Sequence, residues 1–128
     1  MIIADVKDVV RHVASLSQLD TTLESRYDDS NCFWISHDDD QYPTLNILVK
    51  GDISYLNYIP KEFDAGYRSV GQRGRDSDDV VTFSISEYSG DDLDILREAI
   101  VPWSTALVVA KDFFQSKELP NSVAWFQL

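Results

Sequence analysis

Residues 44–59 read TLNILVKGDISYLNYI, and the fold turns on how that stretch is read. Two strand-like runs flank Gly51-Asp52, and a glycine accepts the positive φ that a two-residue hairpin turn needs. A turn at that point sets Lys50 opposite Ile53, Ile47 opposite Leu56 and Leu45 opposite Tyr58. Successive side chains of a strand point to opposite faces. Leu45, Ile47, Val49, Leu56 and Tyr58 therefore share one face, which is the core face. The other face carries Thr44, Asn46, Lys50, Tyr55 and Asn57 among Leu48, Ile53 and Ile59. It is too polar for a buried layer and too aromatic for idle surface.

Toward the N-terminus, CFWISH (32–37) reads as a short strand closed by Asp38, Asp39 and Asp40. Three adjacent like charges belong in a solvated turn. The polar segment DTTLESRYDDSN (20–31) reads as a loop. Before it, Val6, Val9, Val10, Val13 and Leu16 recur at helical spacing and predict a first amphipathic helix over residues 5–19. Asp5 and Asp8 lie at its start, where the helix dipole favours acid, and His12 is boundary packing on it.

Toward the C-terminus, GYRSVGQRGRDSDD (66–79) reads as a flexible charged loop bearing Arg68, Arg73 and Arg75. VVTFSISEY (80–88) alternates, with Val81, Phe83 and Ile85 on one side, as a half-exposed antiparallel strand does. REAIV (97–101) is expected as a further strand. Pro102 suits the first turn of a second helix, in which Trp103, Ala106, Leu107, Ala110, Phe113 and Phe114 make a broad apolar stripe. Pro120 stops it, and SVAWFQL (122–128) closes the chain as a strand. The sum is a single α+β domain over 1–128, an antiparallel sheet of five or six strands with two helices packed on one face and the other left for water or a partner.

Composition narrows what such a domain does. Of 128 residues, 44% are hydrophobic and 12% aromatic, enough for a real core. Eleven Lys and Arg against 22 Asp and Glu give a net charge of −11, a field that repels nucleic acid and anionic membranes and speeds encounter with a basic partner. The first ten residues show no basic region followed by an apolar segment, as a signal peptide would. No apolar run approaches the roughly twenty residues that span a bilayer. A lone cysteine, Cys32, suits a reducing cytoplasm and reads as a buried, inert thiol.

Catalytic and metal chemistry finds little support. His37 beside Asp38, Asp39 and Asp40 resembles a hard-metal or hydrolase site, but successive residues of an extended chain do not converge on one ion. Cys32 with a histidine lacks a nucleophile setting. The glycines at 66, 71 and 74 do not follow a strand-to-helix plan, and GQRGR is a single Arg-Gly copy in an acidic chain. No enzyme activity, catalytic residue, metal or cofactor is expected. The residues offered for contact with a basic partner are Asp38, Asp39 and Asp40 as steering charges and Tyr55, Asn57 and Tyr67 as aromatic or polar anchors. Arg73 and Arg75 are offered to its acidic groups.

Two sets of residues resemble a known family. Pro43, Leu45, Asn46, Ile47, Lys50, Asp52, Ile53 and Tyr58 form one; Ala110, Lys111, Phe113, Phe114, Lys117, Pro120 and Trp125 form the other. Together they are similar to immunity proteins of bacterial polymorphic-toxin systems, in the family that contains the antidote to a double-stranded-DNA cytidine deaminase toxin. Many relatives carry a glycine in the break before the proline, where this chain has Ser116-Lys117-Glu118-Leu119. The resemblance implies a cytoplasmic protein that binds the C-terminal domain of a cognate toxin, a deaminase or a nuclease, and covers its active site. It carries over no catalytic residue, makes Leu45, Ile47, Phe113 and Trp125 scaffold, and assigns any zinc to the toxin. The alternative is an acidic adaptor or chaperone-like protein-binding module of a secretion system.

Overall fold

The computed structural model describes residues 1–71, 79–86 and 91–128. In chain order its elements are β1 (Ile2–Ala4), β2 (Val10–His12), α1 (Leu16–Leu23), β3 (Ser30–His37), β4 (Asp40–Lys50), β5 (Ile53–Ile59), β6 (Tyr67–Ser69), β7 (Val80–Ser84) and β8 (Asp92–Leu96). A 3-10 turn (Arg97–Ala99), β9 (Val101–Pro102), α2 (Trp103–Gln115) and β10 (Trp125–Gln127) complete the chain.

The hairpin that decides the fold forms in the expected register. Leu45 faces Tyr58, Ile47 faces Leu56, Lys50 faces Ile53, and Gly51 sits at φ 58°. Around it grows an antiparallel sheet of eight strands, β10-β6-β5-β4-β3-β1-β2 with β9 added beside β5. That is larger than the five or six strands expected. β7 and β8 pair only with each other.

The extra strands come largely from the N-terminus, where the helix expected over residues 5–19 is a hairpin. The β-branched residues Ile2, Ile3, Val9 and Val10 suit strands, and a buried aspartate fixes the turn between them. Asp5 accepts hydrogen bonds from the backbone of Lys7 (2.9 Å) and Val9 (3.1 Å) and from the Tyr27 hydroxyl (2.7 Å). Asp8 adopts φ 58°, which no helix allows. The helix starts later, at Leu16 near the end of the stretch expected as helix, and runs to Leu23 in the segment read as a loop. Ser15 caps it by accepting from the Gln18 backbone (3.2 Å), while the Gln18 side chain accepts from Ala14 N (2.7 Å). This is close to a capping box.

Both helices lie on one face of the sheet, as expected. Leu19 and Leu23 of α1 join Ala106, Val109, Ala110 and Phe113 of α2 over Ile3, Phe33, Ile35, Leu45, Ile47, Val49, Leu56 and Tyr58. The C-terminal tail is fastened to this layer. The Tyr58 hydroxyl donates to the Lys117 carbonyl (2.8 Å), and Trp125 Nε1 donates to the Pro120 carbonyl (2.6 Å). Lys111 reaches Asp20 at 3.5 Å across the two helices, an exposed pair that adds at most about 1 kcal/mol.

The opposite face is not left wholly bare, which corrects the sequence reading. The β7–β8 hairpin lies over one end of it, and Val81, Phe83 and Ile95 pack on Cys32, Leu48 and Tyr55 as a second core. Val81 and Phe83 point inward as their alternation predicts. The strand expected at 97–101 is instead the 3-10 turn followed by the two-residue β9, and the longer strand falls earlier, at Asp92–Leu96.

Candidate functional site

Cross-strand pairing places one residue from each of seven strands in a single row on the outer face, away from the helices. Val10 pairs with Ala4, Ala4 with Trp34, Trp34 with Asn46, Asn46 with Asn57, Asn57 with Arg68, and Arg68 with Phe126. The β7–β8 hairpin covers the neighbouring row of Cys32, Leu48 and Tyr55, and among the described residues this one is left open. Val10, Trp34 and Phe126 expose 56%, 38% and 53% of their surface, Val10 and Phe126 on the two edge strands and Trp34 on β3 between them.

The polar members of the row are held rigidly. Asn46 donates to the Phe33 carbonyl (2.8 Å) and approaches Cys32 Sγ at 3.5 Å; Asn57 donates to the Tyr67 carbonyl (3.0 Å). The Arg68 guanidinium stacks over Phe126 at 4.7 Å and pairs with Glu98 at 3.2 Å. A stacked guanidinium keeps its charge while stiffening the ring beneath it. Beside the row, Ile2, Trp34, Tyr42, Thr44 and Ile59 line a groove of about 430 Å³.

One end of this face is acidic. Asp38 and Asp39 form the β3–β4 turn, with Asp40 opening β4, and all three are exposed. The Asp38 carboxylate meets the Met1 ammonium at 2.5 Å, and that hydrogen bond holds its pKa below the usual carboxylate range. Because β5 runs antiparallel to β4 and its Ile59 pairs with Thr44, the 60–66 loop leaves the sheet at the same end. That loop carries Glu62 and the wholly exposed Phe63, whose φ is 64°.

Those of the expected contact residues that the structure describes do not come together as one patch. Asp38, Asp39 and Asp40 lie at the acidic end, and Asn57 lies in the open row. Tyr55 is buried, 9% exposed, beneath β7–β8. Tyr67 is half-buried and faces the helix side, its ring 6.3 Å from that of Tyr58. Arg73 and Arg75 fall outside the described residues. Trp34, Val10 and Phe126, exposed in the open row, were not among the residues expected to make contact. For Trp34 the signal was present, since alternation within CFWISH turns Trp34 outward whenever Phe33 and Ile35 turn in.

The titratable groups that could imitate a catalytic centre are held apart. Burial pushes the Cys32 thiol up to about 12, so it stays protonated at neutral pH. His37 packs its ring 4.8 Å from that of Phe113, and burial lowers its pKa. No group of three or more His, Cys, Asp or Glu among the described residues is placed to hold a metal, and no helix among them is long and apolar enough to cross a membrane.

The described residues thus present a broad face of mixed apolar and polar side chains on a paired sheet, and no constellation for catalysis or metal binding among them. The chain belongs to the Imm1 immunity-protein family, whose model matches residues 2–127. A relative from Burkholderia cenocepacia (strain H111), named a double-stranded DNA deaminase immunity protein, is 27% identical over 100 residues, covering 78% of this chain and 77% of that protein.

Proposed function

We propose that this protein binds the C-terminal domain of a cognate toxin in the cytoplasm of the cell that makes it, covers the active site and performs no chemistry itself. The observation that carries the reading is the open half of the outer sheet face, with three exposed apolar residues in one row beside an acidic end. Membership of the family supplies the partner's class. The relative's name supports a toxin that deaminates bases in double-stranded DNA. Such a toxin must offer DNA a basic groove, and a chain of net charge −11 is drawn to it.

The two parts of the surface do different work. Asp39 and Asp40 steer the encounter, because exposed rim charges act chiefly on the association rate. Trp34, Phe126 and the groove between Ile2 and Ile59 hold the complex, because desolvated aromatic anchors carry most of the binding energy. Asn57 contributes a pinned polar contact. Tyr55 and Tyr67 act from behind the surface, and Arg73 and Arg75 reach acidic groups on the toxin.

The experiment mixes the purified chain with the C-terminal domain of the toxin encoded beside its gene and follows deamination of a double-stranded DNA substrate. A one-to-one complex with deamination abolished at one equivalent is expected. A mixture that forms no complex, or a complex that deaminates at the full rate, overturns the proposal.

A further inference from the structure

Phe63 is 99% exposed and holds φ 64°, in the left-handed region that a bulky aromatic residue enters only at a cost in free energy. Neither feature helps the chain fold, and the loop around it is built to keep both. The Asp64 backbone N–H donates to the Lys61 carbonyl (3.2 Å), and the Asp64 carboxylate accepts from Gly66 N (2.7 Å). Gly66 sits at φ 79°, where an added Cβ would collide with the Tyr58 carbonyl, so the base of the loop presses directly on β5. Leu128 N donates to the Gly66 carbonyl (2.9 Å), and the Asn57 side chain reaches the Ala65 carbonyl at 3.5 Å. A fastened loop thus presents one bare aromatic ring, between Glu62 and Asp64, at the end of the sheet that carries the aspartate turn.

We infer that Phe63 enters the base-binding pocket of the toxin, its ring standing in for an extruded nucleobase and the Glu62 carboxylate for a neighbouring phosphate. The inference rests on the reading of the partner as a DNA deaminase. An enzyme of that kind swings its target base out of the stack into a pocket shaped for a flat ring, with cationic groups outside for the backbone. A planar hydrocarbon ring flanked by carboxylates matches that pattern in shape and charge. A loop backbone already fastened at its base loses little entropy on docking, which suits an anchor.

The test measures affinity for a catalytically silent form of the toxin domain. Phe63→Gly relieves the backbone strain, so its melting temperature should equal or exceed that of the parent. Its Kd should rise by roughly 100-fold, the loss typical of a central aromatic anchor. Glu62→Gln should weaken binding by a smaller factor that shrinks as salt is added. Saturating deoxycytidine, which occupies the base pocket alone, should weaken the parent and leave the Phe63→Gly variant unchanged. If the parent binds tightly and Phe63→Gly binds equally well, or deoxycytidine weakens both alike, the base-mimic role is overturned while the proposed function stands. A parent that does not bind the domain overturns the proposed function itself.

Discussion

At the scale of single residues, charge and burial act separately. His37 sits against Phe113 with its Nε2 lacking a hydrogen-bond partner, and burial, followed at a distance by Lys117 and the Met1 ammonium, lowers its pKa against opposing contributions from the Phe113 backbone and Asp38. The unfolded chain therefore takes up a proton on His37 before the folded one does. Stability should begin to fall as pH drops through the ordinary value of 6.5 and go on falling until the folded form is protonated too. The lowered pKa of Asp38 adds a second loss only below its ordinary value of 3.8. Melting temperatures from pH 8 to 5 should show that first slope in the parent and a flatter one in His37→Gln; equal slopes would remove His37 as the cause. The aspartates at the same turn are expected to act on rate. Asp38 is engaged by Met1, so Asp39→Asn with Asp40→Asn isolates steering, and association at low ionic strength should slow several-fold while dissociation changes little. An unchanged association rate would discard the turn as a steering element.

At the scale of elements, the β7–β8 hairpin is the least expected part of the fold. It shares no strand pairing with the main sheet and is held by the packing of Val81, Phe83 and Ile95 on Cys32, Leu48 and Tyr55. Phe83 is 1% exposed, and Phe83→Ala should cost about 3 kcal/mol in denaturant unfolding. A cost near zero would mean that the second core does not contribute to global stability. What the sequence disclosed follows the same physics. The β4–β5 hairpin was legible because alternation, turn chemistry and β-propensity agree there, and α2 because Pro102 and a 3.6-residue stripe agree. The N-terminal segment was misread because valines at 6, 9, 10 and 13 fit helical spacing, while the contacts that decide it, Asp5 with Tyr27 and Asn31 with Val6 (3.2 Å), join residues more than twenty positions apart. Ser15 and Gln18 did signal the true helix start. The covering of Tyr55 was not legible, since strand alternation reports which face a residue joins and not what is laid over it.

At the scale of the molecule, the sheet separates two tasks. One face is sealed by α1, α2 and the tail, and it keeps the strands in place. The other is closed over one end by β7–β8 and, among the described residues, open over the rest; the open part carries Trp34 and Phe126, and the acidic turn and the Phe63 loop lie together at one end of the sheet. The candidate surface was legible in the sequence as a face and a charge, through the hairpin's outer residues and the aspartate turn. Its outline depended on long-range pairing and on the position of β7–β8. Trp34→Ala tests whether the open row binds. It should weaken the complex by roughly 30-fold or more and move the melting temperature far less than Phe83→Ala does, because Trp34 is already 38% exposed. Equal affinity would shift the interface elsewhere. The most direct measurement is a crystal structure of this protein bound to its toxin domain. It should show the open sheet face and the 60–66 loop seated over the toxin's active site, with the helix layer facing solvent. Contact through α1 and α2, or an active site left accessible to DNA, would contradict the account.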